Sequence, residues 1–119
     1  MSETFGWCKD KTRLAIWYKP VFCVDRCGDR VWYLNGKYHR ENGPAVEYIN
    51  GDRVWYLNGK LHRENGPAIE YANGDRVWYL NGKRHRVDGP AIEYANGNKY
   101  WYLGGIGYSE SDYRKELQK

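Results

Sequence analysis

No apolar run in this 119-residue chain approaches the roughly 18 residues that span a bilayer, and its start lacks a signal peptide's apolar core. The expectation is therefore a soluble, cytoplasmic protein. Cysteine occurs three times, at Cys8, Cys23 and Cys27, all before the repetitive part of the sequence. An odd, clustered set is no disulfide framework, so free thiols in a reducing compartment are expected. A lone Cys-x3-Cys also falls short of the four ligands of structural zinc. Methionine occurs once and phenylalanine twice, and Leu, Ile and Val are few, so a thick aliphatic core is excluded. Catalytic signatures are missing too. There is no Gly-rich phosphate loop, no nucleophile elbow and no unique carboxylate pair, and no spacing supports Cys8 with a His as a dyad. Hence no enzyme, catalytic residue or cofactor is expected.

What is present in quantity is aromatic. Six Trp and twelve Tyr bring aromatics to 17% of residues. Such amphipathic rings can stabilise a thin sheet while their polar tips stay wet. The net charge of +4 does not form a basic stripe. Residues 1–27 carry +2, the next two 23-residue blocks are neutral, and the following two carry +1 each. Nucleic acid is thereby demoted as a partner.

Those blocks are copies. "GDRVWYLNGKYHRENGPAVEYIN" from Gly28 to Asn50 is followed by two more, ending at Asn73 and Asn96, and consecutive copies differ at three positions. A fourth, "GNKYWYLGGIGYSESDYRKELQK", keeps Trp-Tyr-Leu and then diverges. A fixed period of this length signals stacked units that cannot bury their apolar faces alone. The organisation is then an N-terminal cap (1–27) overlapping a degenerate first hairpin from about 21, three repeats (28–96), and a degenerate fourth repeat with a C-terminal cap (97–119).

Asn-Gly and Asp-Gly pairs punctuate each copy and favour tight hairpin turns. Counted literally they give three strands: Arg30–Leu34, Lys37–Glu41 and Pro44–Ile49. An odd number of antiparallel strands would invert chain direction between near-identical copies. Two strands per copy avoid this: "PAIEYA", an Asn-Gly turn, then "DRVWYL", with "NGKLHREN" as the connection. Hairpins are expected at about Val21–Leu34, Pro44–Leu57, Pro67–Leu80 and Pro90–Leu103. The fold class is all-β, stacked hairpins forming an elongated twisted antiparallel sheet with a short C-terminal helix as cap. Alternation puts Ile69, Tyr71, Val54 and Tyr56 on the core face and a ladder of Trp32, Trp55, Trp78 and Trp101 on the other. "TRLAIWYKP" reads as an extra edge strand. "YSESDYRKELQK" reads as a helix N-capped by Ser109 or Ser111, with Tyr113 and Leu117 at i, i+4, covering the last edge or binding a partner.

The pattern "Y-x-NG…WYLNGKxH" resembles MORN repeats (membrane occupation and recognition nexus). It is closest to a variant with "HR-x-DGPA" after the "W-Y-x-NGK" that turns up in bacterial and bacteriophage proteins. The resemblance covers about residues 21–103. It implies one β-hairpin per repeat and a scaffold for protein partners, with lipid headgroup binding sometimes proposed, and no catalysis. The company such arrays keep implies a phage-encoded inhibitor or sponge acting in the host cytoplasm.

The candidate site residues recur with the repeat. His39, His62 and His85 stand two strands apart, about 9–10 Å, too far to share one metal, so they are read as structural and no metal is expected. Arg40, Arg63 and Arg86 either pair with Glu47, Glu70 and Glu93 or bind an anionic ligand against Trp55 and Trp78 as stacking walls. The Asp29–Arg30, Asp52–Arg53 and Asp75–Arg76 pairs read as surface charge. Tyr38, Leu61 and Arg84 occupy the same place in successive copies and differ, so they are expected outside the common core, on a binding rim. A protein-interaction scaffold or inhibitor is the leading reading, and homo-oligomers are compatible with it. A sponge for a nucleotide-like or phosphorylated metabolite is the second, and single-stranded nucleic acid the third.

Overall fold

The computed structural model describes residues 21–119. The edge strand expected in residues 12–20, and Cys8, lie outside the described residues. Two strands, β1 (Val21–Val24) and β2 (Arg30–Leu34), form the first hairpin, with Val21 opposite Tyr33 and Val24 opposite Arg30. Beyond β2 comes a short strand, β3 (Lys37–Tyr38), and then the copies follow one plan. In the next unit β4 (Val46–Glu47) pairs β5 (Arg53–Val54), and β6 (Tyr56–Leu57) pairs β7 (Lys60–Leu61). The third unit repeats this with β8 (Ile69–Glu70), β9 (Arg76–Val77), β10 (Tyr79–Leu80) and β11 (Lys83–Arg84). The array closes with β12 (Ile92–Glu93), β13 (Lys99–Leu103), β14 (Ile106–Tyr108) and helix α1 (Glu110–Leu117). The main sheet runs β1-β2-β4-β5-β8-β9-β12-β13-β14, all antiparallel. This is the all-β hairpin array that the sequence leads one to expect, drawn out to 48 × 29 × 21 Å.

One element departs from the two-strand expectation and restores the literal count of three strands. The "NGKLHREN" segment is more than a connection, because Asn58-Gly59 takes positive φ at both residues (52° and 81°). That is the type I′ geometry, which folds β7 back on β6 as a second, smaller hairpin. Chain direction is still preserved between copies, because β7 runs opposite to β6 and so points the way β8 will run. Trp55 stands at the branch: its N–H donates to the Ala68 carbonyl and its own carbonyl accepts from His62 N–H. Trp32 and Trp78 divide their copies identically.

An aliphatic line crosses one face of the sheet, while Ala45, Ala68 and Ala91, expected on the other face, are fully buried there with Trp32. Val31, Val46, Val54, Ile69, Val77 and Ile92 face one another in register from strand to strand. Val46, 1% exposed, is sealed by Cys23, Tyr33 and the half-buried Tyr38, Tyr56, Leu61 and Ile69. Burying a valine side chain fully contributes about 1.5–3 kcal/mol, so a line of six can hold a one-layer sheet together. Cys23 is buried and disulfide-bonded, which corrects the expectation of a free thiol at that position. Cys27 is exposed and free.

At the far end Ser109 caps α1, its hydroxyl accepting from Asp112 N–H at 3.2 Å, with Glu110 and Asp112 in the first turn favoured by the helix dipole. Tyr113 is buried against Trp101. Its hydroxyl donates to the Arg86 carbonyl (2.6 Å) and accepts from Gly89 N–H (3.1 Å), tying the helix to the third copy. Leu117, one turn on, is 41% exposed. No helix among the described residues is long and apolar enough to cross a membrane.

Candidate functional site

The His-Arg pair joins each copy to the next. His39 Nδ1 accepts from Asn58 N–H, His62 Nδ1 from Asn81 N–H and His85 Nδ1 from Gly104 N–H, each at 2.9 Å. The following arginine donates its backbone N–H to Tyr56, Tyr79 and Tyr102 carbonyls in turn. Nε2 of His62 faces the Glu64 carboxylate at 3.3 Å. Among the described residues no three His, Cys, Asp or Glu side chains gather as a metal ion requires.

The guanidiniums lie on the tryptophan face. Arg40, Arg63 and Arg86 stack over Trp32, Trp55 and Trp78 at 3.7, 3.8 and 3.8 Å from the ring centroids. Nη1 of each donates to the carbonyl of Pro44, Pro67 or Pro90. The same nitrogen meets Glu47 at 3.6 Å, Glu70 at 3.0 Å and Glu93 at 3.0 Å. Each carboxylate also meets a second arginine, Arg30, Arg53 or Arg76, from across the sheet. The guanidinium is roofed by a glycine: a Cβ at Gly66 would stand 3.0 Å from Arg63 Cζ. The Asn-Gly pairs at 42 and 65 are therefore glycine for closeness, where those at 35 and 58 need it for a turn.

Between successive connection loops lie two open clefts on this face. One, of about 530 Å³, is lined by Arg40, Glu41, Trp55, His62, Arg63 and Glu64 among others. Its neighbour, of about 510 Å³, presents Arg63, Glu64, Trp78, Arg86 and Asp88. The structure thus brings Arg40, Arg63, Arg86, Trp55 and Trp78 together, but each cleft carries two arginines and two carboxylates. Their charges cancel.

Tyr38 and Arg84 belong to the opposite face. Strand pairing sets Tyr38 against Tyr33, Leu61 against Tyr56 and Arg84 against Tyr79. The expectation that this position lies outside the common core fails for its first two members: Tyr38 and Leu61 pack on the core cluster. The type I′ turn is the reason, since it folds them over the tyrosine row. Tyr38 stacks 5.1 Å from Tyr33 and lies 5.1 Å from Tyr56. Arg84 is exposed and donates to the hydroxyls of Tyr79 (3.3 Å) and Tyr102 (3.5 Å). The Tyr79 bond, foremost, raises its already high pKa. Burial, then Tyr38, pushes the Tyr33 phenol far above its ordinary range, and burial and Tyr38 raise Tyr56 as well.

A second tyrosine row borders the first. Tyr48, Tyr71 and Tyr94 are 41%, 42% and 40% exposed, and Tyr100 lies 5.8 Å from Tyr94 in an edge-on contact. Tyr71 shares the face of Ile69 as alternation requires, yet it is exposed, because a one-layer sheet offers nothing to cover it. Sequence reasoning did not single out this row, although "EY" in every copy was its signal. Asp29, Asp52 and Asp75 are not merely surface charge. They accept the backbone N–H of Ile49, Ala72 and Ala95, in the next hairpin along the sheet, at 2.9, 2.7 and 2.7 Å.

No family model matches the chain, and no curated protein or solved structure matches it either.

Proposed function

We propose that this protein is a non-catalytic interaction scaffold, related in plan to MORN-like arrays, that binds a protein partner through its tyrosine face. The supporting observation is the contrast between its two faces. On the tryptophan face each arginine is stacked on a ring and its Nη1 is shared by a carbonyl and a carboxylate, which offsets its charge toward an anionic ligand. On the other face equivalent tyrosines recur with about 40% of each surface in water. Tyrosine offers large contact area at low entropic cost, with a hydroxyl for orientation.

Sequestration of a phosphorylated or nucleotide-like metabolite is the second reading. The clefts have the volume of small-molecule sites. Their balanced charge argues against an anion. The test compares wild type with Tyr71→Ser/Tyr94→Ser, both immobilised and exposed to the lysate in which the protein is made. Partners that bind wild type are expected to be lost from the double variant, whose circular dichroism should be unchanged. Native mass spectrometry of wild type decides the rival: a discrete added mass of a few hundred daltons, released on denaturation, would overturn the scaffold reading.

A further inference from the structure

We infer that the tyrosine face takes a proline-rich segment in the polyproline II conformation, laid along the array with an acidic residue over its C-terminal half. The inference rests on the scaffold reading and names the partner's chemistry.

The first argument is commensurate spacing. Equivalent residues of successive copies are two strands apart, about 9.6 Å. Polyproline II advances about 9.3 Å in one three-residue turn, so the same side of the ligand returns at every copy. Across three copies the mismatch stays below about 1 Å. A β-strand fits worse, since three of its residues span a similar length but end on the opposite face. An α-helix with a 5.4 Å pitch returns between copies rather than at them.

The second argument is chemical. Polyproline II has no internal hydrogen bonds, and its carbonyls depend on outside donors. Tyr48, Tyr71 and Tyr94 supply phenolic hydroxyls at one interval, with ring surface between them for the pyrrolidines. Their nearly equal exposure presents the ligand with the same step three times. Such a ligand is already ordered when free, which lowers the cost of binding.

Charge sets the direction. Arg84 replaces Tyr38 and Leu61 in the third copy and stands exposed between the hydroxyls of Tyr79 and Tyr102. The aspartates bordering the face, Asp29, Asp52 and Asp75, are engaged by backbone N–H groups. A carboxylate on the ligand would therefore find its partner at the third copy.

The experiment uses fluorescently labelled nonaproline peptides bearing two aspartates at one end or the other, read by anisotropy against the full chain. Matched controls replace proline with alternating Gly and Ser, or aspartate with lysine. One acidic peptide should bind about tenfold or more tightly than its Gly/Ser control, a difference of about 1.4 kcal/mol. Tyr71→Ala/Tyr94→Ala should weaken it by at least about tenfold, and Arg84→Glu should erase the preference for aspartate over lysine. Tyr71→Phe/Tyr94→Phe keeps the rings, serves as the fold-safe version, and should weaken binding severalfold through lost carbonyl bonds. Equal binding of proline and Gly/Ser peptides overturns the inference, as does wild-type affinity in both tyrosine variants. So does tighter binding of a thymidine oligonucleotide at the same tyrosines. If the proline peptides fail while lysate partners still depend on Tyr71 and Tyr94, only this inference falls. If those partners too are indifferent to the tyrosines, the scaffold reading falls with it.

Discussion

Replacing Arg63 with alanine is expected to destabilise the protein by about 2–4 kcal/mol. Its guanidinium lies 3.8 Å over Trp55, a half-buried cation–π contact of about 1 kcal/mol. Nη1 donates to the Pro67 carbonyl at 3.1 Å and to Glu70 at 3.0 Å, and hydrogen bonds to charged groups contribute about 1.5–3 kcal/mol. Glu70 retains Arg53 at 2.7 Å, so its carboxylate is not orphaned, and this limits the loss. The side chain is 28% exposed, which places the ion-pair share toward the low end. Urea denaturation followed by tryptophan fluorescence measures the total, and the melting temperature should fall by roughly 10 °C. Arg63→Lys keeps the charge but loses the planar fork that stacks and bonds at once, so it should recover less than half of the loss. Lys60→Ala, on an exposed side chain, provides the baseline. A change below about 0.5 kcal/mol for Arg63→Ala, within the range of ordinary surface substitutions, would refute the structural reading of the ladder. It would return the arginines to the list of ligand groups.

Asp52→Ala removes the acceptor for Ala72 N–H and should cost about 1 kcal/mol, with faster hydrogen exchange at that amide. Asn98→Ala, at the equivalent place in the last copy, should cost less than about 0.5 kcal/mol in the same melts, because no further copy leans on it. Tyr113→Phe removes the hydroxyl that bridges the Arg86 carbonyl and Gly89 N–H, and should loosen α1 at a cost of about 1–2 kcal/mol, seen as exchange confined to the helix and its neighbours. Burial raises the phenol pKa of Tyr33, Tyr48 and Tyr56, so the fold favours their neutral form. Their contribution to stability is whole below the unfolded tyrosine value near pH 10 and is lost as pH rises through the folded values. Urea midpoints should hold level to about pH 9 and then decline, and a level profile at about pH 11 would contradict this.

The hairpin array was legible because its signals are local. Alternating Val, Ile and Glu beside an Asn-Gly turn fixed β4–β5 and β8–β9, and the parity of identical copies fixed two strand directions per repeat. The cap was legible for the same reason, through Ser109 and the Tyr113 spacing. The second hairpin stood in the literal count of turn signals and was set aside, because the symmetry argument had no use for a third strand; only two residues on each side pair. The tyrosine row was harder to read. Tyr71 alternates with Ile69 as a core residue does, and exposure depends on whether a second layer exists. The joints between copies were the least legible. Asp52 with Ala72, and His62 with Asn81, lie 20 and 19 residues apart, and the side-chain periodicity of a single hairpin does not display a bond that crosses to the next hairpin.

The side-chain bonds between successive hairpins share one sense: the earlier hairpin accepts through Asp and His, and the later one donates. The joint between the first and second copies uses the same residue types as that between the second and third. Inserting or deleting one 23-residue unit in the middle would therefore create no joint the molecule does not already contain. Length is in this respect a free variable, adjustable in steps of about 9.6 Å by duplication or loss of a DNA segment, while both ends stay as they are. A lineage carrying such a gene can change its reach by copying, without first solving a new packing problem.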